Sequence, residues 1–594
     1  MKQKMTKEEV LKKYFGYTGF REGQGELIDR ILAREDVLGI MPTGAGKSLC
    51  FQIPALMMPG ITLVISPLVS LMKDQVRALV DNGIRAAYIN SSLTYPQTLK
   101  AIANAKKGIY KIIYVAPERL EIPAFLEFAA EADISMLTVD EAHCVSQWGQ
   151  DFRPSYLKIP EFLEKLKKRP VLNAFTATAT AHVRRDMIEI LKLQNPYIIT
   201  TGFDRPNLFF KVLEPTDKFR ALTGYLSRHE GKSGIVYCTT RKNVEDVCHR
   251  LCELGFSATR YHAGLSEEER FQNQDDFLYD NKQIMVATNA FGMGIDKSNV
   301  NFVIHYNMPL DVESYYQEAG RAGRDGSPAD CILLFGARDV QTNRFLIDNG
   351  TVQDGSELSE KLKERAMERL RKMTLYCREQ GCLRAYLMKY FGEKREDYCG
   401  NCGNCMSGYE QVNVLKEAQK IAACVNSLQG RFGIGMATGV LRGSHEEKIM
   451  RFSRIPTYGS LKELSEREIR QIIHFMLSQE YLYQTDSEYP LLQLGKRFRE
   501  LTGKKELLMR RAKEKEVPKK DAPEDSELLK RLKALRQKIA RAKGVPAYVI
   551  FTDATLSELA RRKPGNMEEL LEVSGIGAVK AERYGKKFLE ELKK

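Results

Sequence analysis

The stretch "DVLGIMPTGAGKS", residues 36–48, decides how the N-terminal half of this 594-residue chain is read. From Val37 to Met41 it is short, β-rich and continuously apolar, as a strand buried on both faces of a parallel sheet must be. Thr43, Gly44, Gly46, Lys47 and Ser48 follow, and then a helix-like stretch. In such a loop the glycines let backbone N–H groups turn inward around phosphate oxygens. The lysine reaches the β/γ-phosphates, and the serine hydroxyl binds Mg²⁺. The strict pattern G-x-x-x-x-G-K-[ST] is not met, because Met41 stands at the first glycine position. A glycine-rich turn with a chance lysine is the alternative. It loses ground to the strand–loop–helix context and to a second strand, "SMLTVD" (135–140), that ends in paired acids. Asp140 can hold the metal, usually through water, and Glu141 can orient the attacking water. A lone Asp-Glu pair is often only a helix cap.

Working outward, more runs of the same kind appear at 61–66, 111–116 and 171–178. After the connector "GFDRPNLFF" (202–210) the pattern begins again at 234–240, 283–289, 301–307 and 331–336. Two α/β domains in tandem follow from this alternation. The length also calls for several domains, since single cores stop growing at about 250–300 residues. The net charge of +14 suits a polyanionic partner, although solubility alone could account for it. No apolar run approaches the roughly 18 residues of a membrane span. The first residues, "MKQKMTKEEVLKKYFGY", are charged and have no apolar signal core, so an intracellular protein without a membrane partner is expected. The 12 cysteines are scattered apart from one cluster, as reduced thiols usually are.

Phosphoryl transfer also needs positive charge on the developing transition state. "QEAGRAGRDG" (317–326), in the second α/β domain, offers Arg321 and Arg324. A cleft between the domains would bring them to a nucleotide held by the first. Glycines at 320, 323 and 326 make an ordinary solvated helix a poor alternative.

"FGYTGFREGQ", "MPTGAGKSLCFQIPAL", "DEAHCVSQWGQDFRP", "TATA", "ATNAFGMGIDKSNVNFVIHYNMP" and "QEAGRAGRDG" occur in this order. Together they resemble the RecQ family of superfamily 2 DNA helicases, bacterial members above all, and the likeness extends over nearly the whole chain. It implies a multidomain α/β fold. Two tandem RecA-like parallel-sheet domains would lie at 1–205 and 206–340, with a helical, four-cysteine zinc-binding module at 341–408. A winged helix at 409–505, a linker at 506–523 and a small all-α HRDC domain at 524–594 would follow. Residues 503–527 are charged and carry two prolines, as a linker that is helical at its start would. The winged-helix order is also visible directly. Ser465 and Glu468 form a capping-box pair, Ile469, Ile472, Ile473 and Met476 follow at helical spacing, and two short β-like runs flank a polar turn. Leu528, Leu532, Leu535 and Ile539 mark an apolar stripe in the last domain.

Carried over by motif, the resemblance implies an ATP-dependent DNA helicase, moving 3′→5′ in recombination, repair and replication-fork maintenance. ATP and Mg²⁺ would be cofactors. Tyr17 and Arg21 would stack on adenine, and Gln24 would hydrogen-bond its edge. Arg324 would be the main arginine finger, with Arg321 assisting and Gln317 near the γ-phosphate. The segment after the DEAH box would sense single-stranded DNA. Trp148, the only tryptophan, and Phe152 can stack on unpaired bases, and Arg153 can bind phosphate. A buried tryptophan in ordinary packing is the alternative, against which the polar Gln147, Gln150 and Asp151 argue. Gln150 stands where many relatives carry histidine, so no imidazole role is expected there.

Cys399, Cys402 and Cys405 form C-x₂-C-x₂-C, with Cys377 and Cys382 as upstream candidates for a fourth ligand. On the residues alone structural zinc and an iron–sulfur cluster are both open. The family pattern implies Zn²⁺ and selects Cys382, leaving Cys377 a free thiol. It also implies Tyr548 as a contact to single-stranded DNA, with a half-buried core tyrosine as the alternative. Expected partners are single-stranded DNA, duplex/single-strand junctions and the tail of the single-stranded DNA-binding protein. A monomer in the cytoplasm, associated with the nucleoid, is expected. The rival functions are an RNA helicase and a non-enzymatic DNA-binding regulator. The aromatic loop and HRDC-like tail argue against the first, and the set Lys47, Ser48, Asp140, Glu141 and Arg324 against the second.

Overall fold

The computed structural model describes residues 5–146, 152–291, 297–350, 359–393, 395–407, 409–485, 491–512 and 527–593. Its first sheet consists of Val37–Ile40 (β1), Ile61–Ile65 (β2), Ala86–Ile89 (β3), Ile112–Val115 (β4), Ile134–Val139 (β5), Val171–Thr176 (β6) and Tyr197–Thr200 (β7). The seven strands are all parallel, in the order β3-β4-β2-β5-β6-β1-β7. Both faces are covered: Leu38 and Ile40 of β1 enter one hydrophobic core and Val37 another. That double burial is why β1 is apolar at every position instead of at alternate ones.

The second sheet consists of Leu208–Leu213 (β8), Gly234–Tyr237 (β9), Ala258–Tyr261 (β10), Ile284–Ala287 (β11), Phe302–His305 (β12) and Ala329–Leu334 (β13). It too is parallel, in the order β10-β11-β9-β12-β13-β8. Four strands have no counterpart among the apolar runs picked out by sequence: β3, β7, β8 and β10. They are the four edge strands. An edge strand is paired and covered on fewer sides, so its apolar signal is weaker, and β7 shows no fully buried residue at all.

Beyond the sheets, helix Glu360–Cys377 leads to the cysteine cluster. Helices Leu415–Ser427, Ile434–Arg442 and Glu466–Ser478 then pack around a separate apolar core. The Ser465/Glu468 capping box forms, and Ile469, Ile472, Ile473 and Met476 are buried. The hairpin after it pairs Leu482–Gln484 with Leu492–Leu494, and residues 486–490 of its turn lie outside the described residues. One expectation is corrected here. Residues 508–512, assigned to a linker with a helical start, are a strand paired antiparallel with 409–413. Leu507 and Met509 are buried in the domain core, and the Asn413 carboxamide accepts the Leu507 N–H at 3.0 Å. The partner strand lies about a hundred residues upstream, so local propensity could not reveal it.

The last helical unit has its own core, in which Leu532 and Ile539 are buried and Leu528 and Leu535 half-buried. It docks on both sheet domains. The Gly575 N–H donates to the Gly16 carbonyl at 3.1 Å. Arg583 donates to the Asp81 carbonyl at 2.9 Å. Tyr279 of the second domain donates its hydroxyl to the Gly544 carbonyl at 3.1 Å, which Arg77 of the first domain also reaches. Tyr548 is half-buried and packs against the hydrophobic core of the sheet domains. The contact at Gly16 is tight: a Cβ on Gly577 would sit 3.2 Å from the Gly16 nitrogen and 3.3 Å from the Lys13 carbonyl oxygen. Gly577→Val is therefore expected to release this unit from the sheet domains. Small-angle scattering should record a larger radius of gyration while the helical unit keeps its own melting transition. An unchanged radius would mean that the docking does not depend on this turn.

Candidate active site

Strand β6 lies between β5 and β1, so the loops leaving β1, β5 and β6 emerge side by side at the carboxyl edge. The pairing Ile40 with Thr176 and Val139 with Ala174 sets their register. The phosphate-type loop follows β1. Gly44 and Gly46 have φ of +84° and +82°, where any side chain is strained. Lys47 opens helix Lys47–Met57, and Ser48 lies in its first turn.

Glu141 has φ 47° and ψ 47°, an uncommon left-handed conformation for glutamate. That turn carries its carboxylate back to Lys47, whose Nζ is 3.5 Å from Glu141 Oε1. The Glu141 N–H donates to Asp140 Oδ1 at 3.0 Å. Burial, and then the Glu141 charge, push the Asp140 carboxyl up to about 6. Burial opposes ionisation of Glu141 as well, but Lys47, His143 and Arg321 outweigh it and hold that carboxyl below its ordinary value. The buried Oε2 of Glu141 has no hydrogen-bond partner. That oxygen lies 3.4 Å from His143 Nδ1, and an acceptor without a hydrogen bond beside a lysine and a second buried acid fits a site for Mg²⁺, triphosphate and an attacking water.

His143, 2% exposed, ties this loop to the one after β6. Its Nδ1 lies 2.8 Å from the Thr176 hydroxyl, which donates to the Thr178 carbonyl at 3.1 Å. The hydroxyl proton being used, the ring nitrogen is the donor.

Arg21 and Gln24 sit on the phosphate-type loop itself. Arg21 donates to the Gly44 carbonyl. Gln24 is buried, and its amide donates to the carbonyls of Ala45 at 2.9 Å and Gly46 at 3.1 Å, while its oxygen accepts the Arg21 N–H at 2.8 Å. In this conformation both residues brace the loop. Tyr17 nearby in sequence is 37% exposed. From the second domain, helix Val312–Ala319 ends with Gln317 in its last turn. It brings Gly320 so close that a Cβ there would lie 3.4 Å from Thr43 Cβ. Arg321 is buried beside Tyr237, near enough to Glu141 to stabilise its charge. Arg324 is partly buried, and its charge acts on Arg205 in the connector. Phosphate loop, acids and arginines thus share one cleft between the two sheets.

Trp148 lies outside the described residues, with 147–151. Phe152, just after them, is half-buried. Arg153 donates from its guanidinium to the Pro67 carbonyl at 2.8 Å and from its backbone to the Cys144 carbonyl at 2.9 Å. Tyr156, fully buried, donates to the Asp140 carbonyl at 3.0 Å. The far root of this loop is therefore bonded to the peptide of the metal-type acid.

The four sulfurs of Cys382, Cys399, Cys402 and Cys405 lie within 4.8 Å of one another. A tetrahedral Zn²⁺ with Zn–S near 2.3 Å needs sulfurs about 3.8 Å apart, and Cys399 and Cys405 are at 3.9 Å. Cys377 stands apart, its thiol pushed up by burial.

Residues 21–186 match the DEAD/DEAH box helicase family, 217–326 the helicase conserved C-terminal domain, and 337–406 the RecQ zinc-binding family. Residues 408–519 match the RQC domain and 525–592 the HRDC domain. The chain is 44% identical to the ATP-dependent DNA helicase RecQ of Bacillus subtilis, over 98% of each chain. It is 38% identical to the proteins of that name from Pasteurella multocida, over 99% of this chain and 93% of that one, and Haemophilus influenzae, over 99% and 96%. The chain belongs to the RecQ family.

In this RecQ chain the four zinc-type cysteines are the set expected from sequence. Sequence reasoning missed His143, Tyr156 and Arg205. His143 was quoted only as part of DEAH, and Arg205 only as part of the connector. Tyr156 stands two residues beyond the DEAHCVSQWGQDFRP stretch, and its apolar neighbours Leu157 and Ile159 give no sign that its hydroxyl is committed. For the metal, Cys382→Ser is expected to lose the bound zinc, about one ion per chain, whereas Cys377→Ser keeps it. Atomic absorption on the purified variants separates the two, and equal loss would make Cys377 a ligand.

Proposed function

We propose that this chain, an ATP-dependent DNA helicase, uses the cleft between its two sheets as the hydrolysis site and the loop 144–156 as the element that makes hydrolysis depend on single-stranded DNA. The observation that carries this is the hydrogen bond from Tyr156, at the root of the loop, to the carbonyl of Asp140.

In this scheme Tyr17 and Arg21 stack on adenine, and Gln24 takes its edge by giving up the carbonyls of the phosphate loop. Thr43, Gly44 and Gly46 shape that loop so that its amides face the phosphates. Ser48 and, through water, Asp140 would hold Mg²⁺, which would supply charge to offset that of the β- and γ-phosphates. Lys47 leaves Glu141 for the γ-phosphate. Glu141, held ionised by its cationic neighbours, then accepts a hydrogen bond from the attacking water. Arg324 and Arg321 meet the charge that develops on the transferring group, and Gln317 lies beside it. Trp148 and Phe152 stack on unpaired bases, at about 1–3 kcal/mol per base, and Arg153 exchanges the Pro67 carbonyl for a phosphate. A shift of this loop reaches Asp140 through Tyr156.

Cycles of cleft closure and opening move the chain 3′→5′ along one strand and open duplex junctions, in recombination, repair and fork maintenance. The winged helix holds the duplex and the tail of the single-stranded DNA-binding protein. Tyr548 reaches DNA only after the last helical unit leaves the sheet domains, because in the docked state it packs against their core. The protein acts as a monomer in the cytoplasm, at the nucleoid.

Hydrolysis of ATP with and without single-stranded DNA tests the coupling. At DNA concentrations that saturate the variant, Trp148→Ala is expected to abolish most of the stimulation while keeping basal hydrolysis. Equal stimulation in both proteins would make Trp148 a packing residue, and stronger activation by RNA would overturn the choice of DNA. Glu141→Gln is expected to lower the turnover by at least about 100-fold with nucleotide binding retained, as read by a fluorescent ATP analogue.

A further inference from the structure

The connector between the sheets contains Arg205, a half-buried arginine that contacts both sides of the cleft. One guanidinium nitrogen donates to the carbonyl of Thr43, in the phosphate loop, and to that of Gly320 at 3.4 Å. The other donates to the carbonyls of Ala322 at 3.2 Å and Gly323 at 2.8 Å. Nε bonds the Asn207 carboxamide at 3.3 Å, and Asn207 itself donates to Gly323 and Ser327, both at 2.9 Å. Among the described residues none of these partners is a carboxylate. The guanidinium is held by backbone and carboxamide dipoles alone, and the backbone dipoles belong to the loop that carries Lys47 and to the segment that carries Arg321 and Arg324.

The backbone of Arg205 is fixed from the other direction. Arg384, 1% exposed, donates to the Arg205 carbonyl at 2.5 Å and to Asp204 Oδ1 at 2.7 Å. Arg384 also reaches the carbonyl of Asn401, whose N–H is 3.3 Å from Cys399 Sγ. The zinc module therefore holds the peptide while the side chain holds the cleft. A planar fork with several fixed donors suits this task, as a single ammonium does not.

We propose that Arg205 is a positioning residue for ATP hydrolysis, which clamps the phosphate loop to the segment 320–323 so that Arg321 and Arg324 face the γ-phosphate that Lys47 holds. Its own donors point at carbonyls, so it acts through the two other arginines. The proposal rests on the phosphate-facing role given to them above.

The test is steady-state hydrolysis by the full, zinc-loaded chain with saturating oligo-dT, for Arg205→Ala, Arg205→Lys, Arg324→Ala and the double variant Arg205→Ala/Arg324→Ala. A misplacement of about 1 Å costs about 100-fold in rate. Arg205→Ala is expected to lose roughly that in kcat, with the KM for ATP within about 3-fold and the zinc content unchanged. Arg205→Lys should recover only part of the loss, because an ammonium cannot bridge four carbonyls. The double variant should fall well short of the product of the two single losses, since Arg205 acts in part through Arg324. If Arg324→Ala hydrolyses ATP normally, the role assigned to that arginine fails. If Arg324→Ala is inactive but Arg205→Ala retains kcat within about 3-fold, or the two losses multiply, Arg205 is not a positioning residue. Should Arg205→Ala lose its zinc or its folding transition, Arg205→Lys decides by the same criterion: wild-type kcat overturns the proposal, and a fall in kcat at constant KM supports it.

Discussion

The parallel pairing of β6 with β1 on one side and β5 on the other is the constraint on which the rest depends. Hydrogen bonds between parallel strands bring their carboxyl ends to one edge, and the loops that leave those ends then share a neighbourhood. The phosphate loop, the DEAH acids and the Thr176–Thr178 segment meet for that reason. A one-residue slip between β5 and β6 would turn alternate side chains to the opposite face. Asp140 and Glu141 would then no longer present their carboxylates to Lys47.

Within the cleft, the groups suited to a nucleotide satisfy one another. Lys47 is paired with Glu141, and Arg21 and Gln24 are bonded to carbonyls of the phosphate loop. The Lys47 and Gln24 contacts are polar and largely shielded from solvent, so exchanging them for contacts to a nucleotide involves little net desolvation. Glu141 is held in a left-handed backbone conformation, at a cost of roughly 1–2 kcal/mol for a residue with a side chain. The Lys47 ion pair and the Asp140–Tyr156 hydrogen bond are the interactions that offset it. Strain located at a carboxylate that must point at one place is consistent with a chemical role for that carboxylate.

The C-terminal modules are not appended at random. The zinc cluster grips the connector through Arg384, and the last helical unit touches both sheet domains through Gly544, Gly575 and Arg583. The placement of the two sheet domains is thus tied to two modules outside the cleft. The docking turn uses glycine backbone instead of side chains, which lets two main chains approach without a Cβ between them.

Much of this was legible along the chain, because the signals are local. Central strands such as β1 and β5 must be apolar at every position to be buried on both faces, and they stood out. The edge strands β3, β7, β8 and β10, with fewer covered sides, did not. Lys47, Ser48, Asp140 and Glu141 were legible because phosphate chemistry demands fixed residue types at fixed short spacing, and the cysteine triplet because tetrahedral thiolates demand the same. Strand 508–512 was misassigned because its partner at 409–413 is remote. The partners of Arg205 and Arg384 were decided by tertiary structure alone. Both arginines bond mainly to backbone carbonyls more than a hundred residues away. Every residue carries a carbonyl, so such a bond leaves no trace in the identity of its acceptor. The sequence by itself therefore determined the order of the elements and the chemistry of each short segment. Only the fold determined which segments are clamped together, because that depends on where the chain brings its main-chain dipoles.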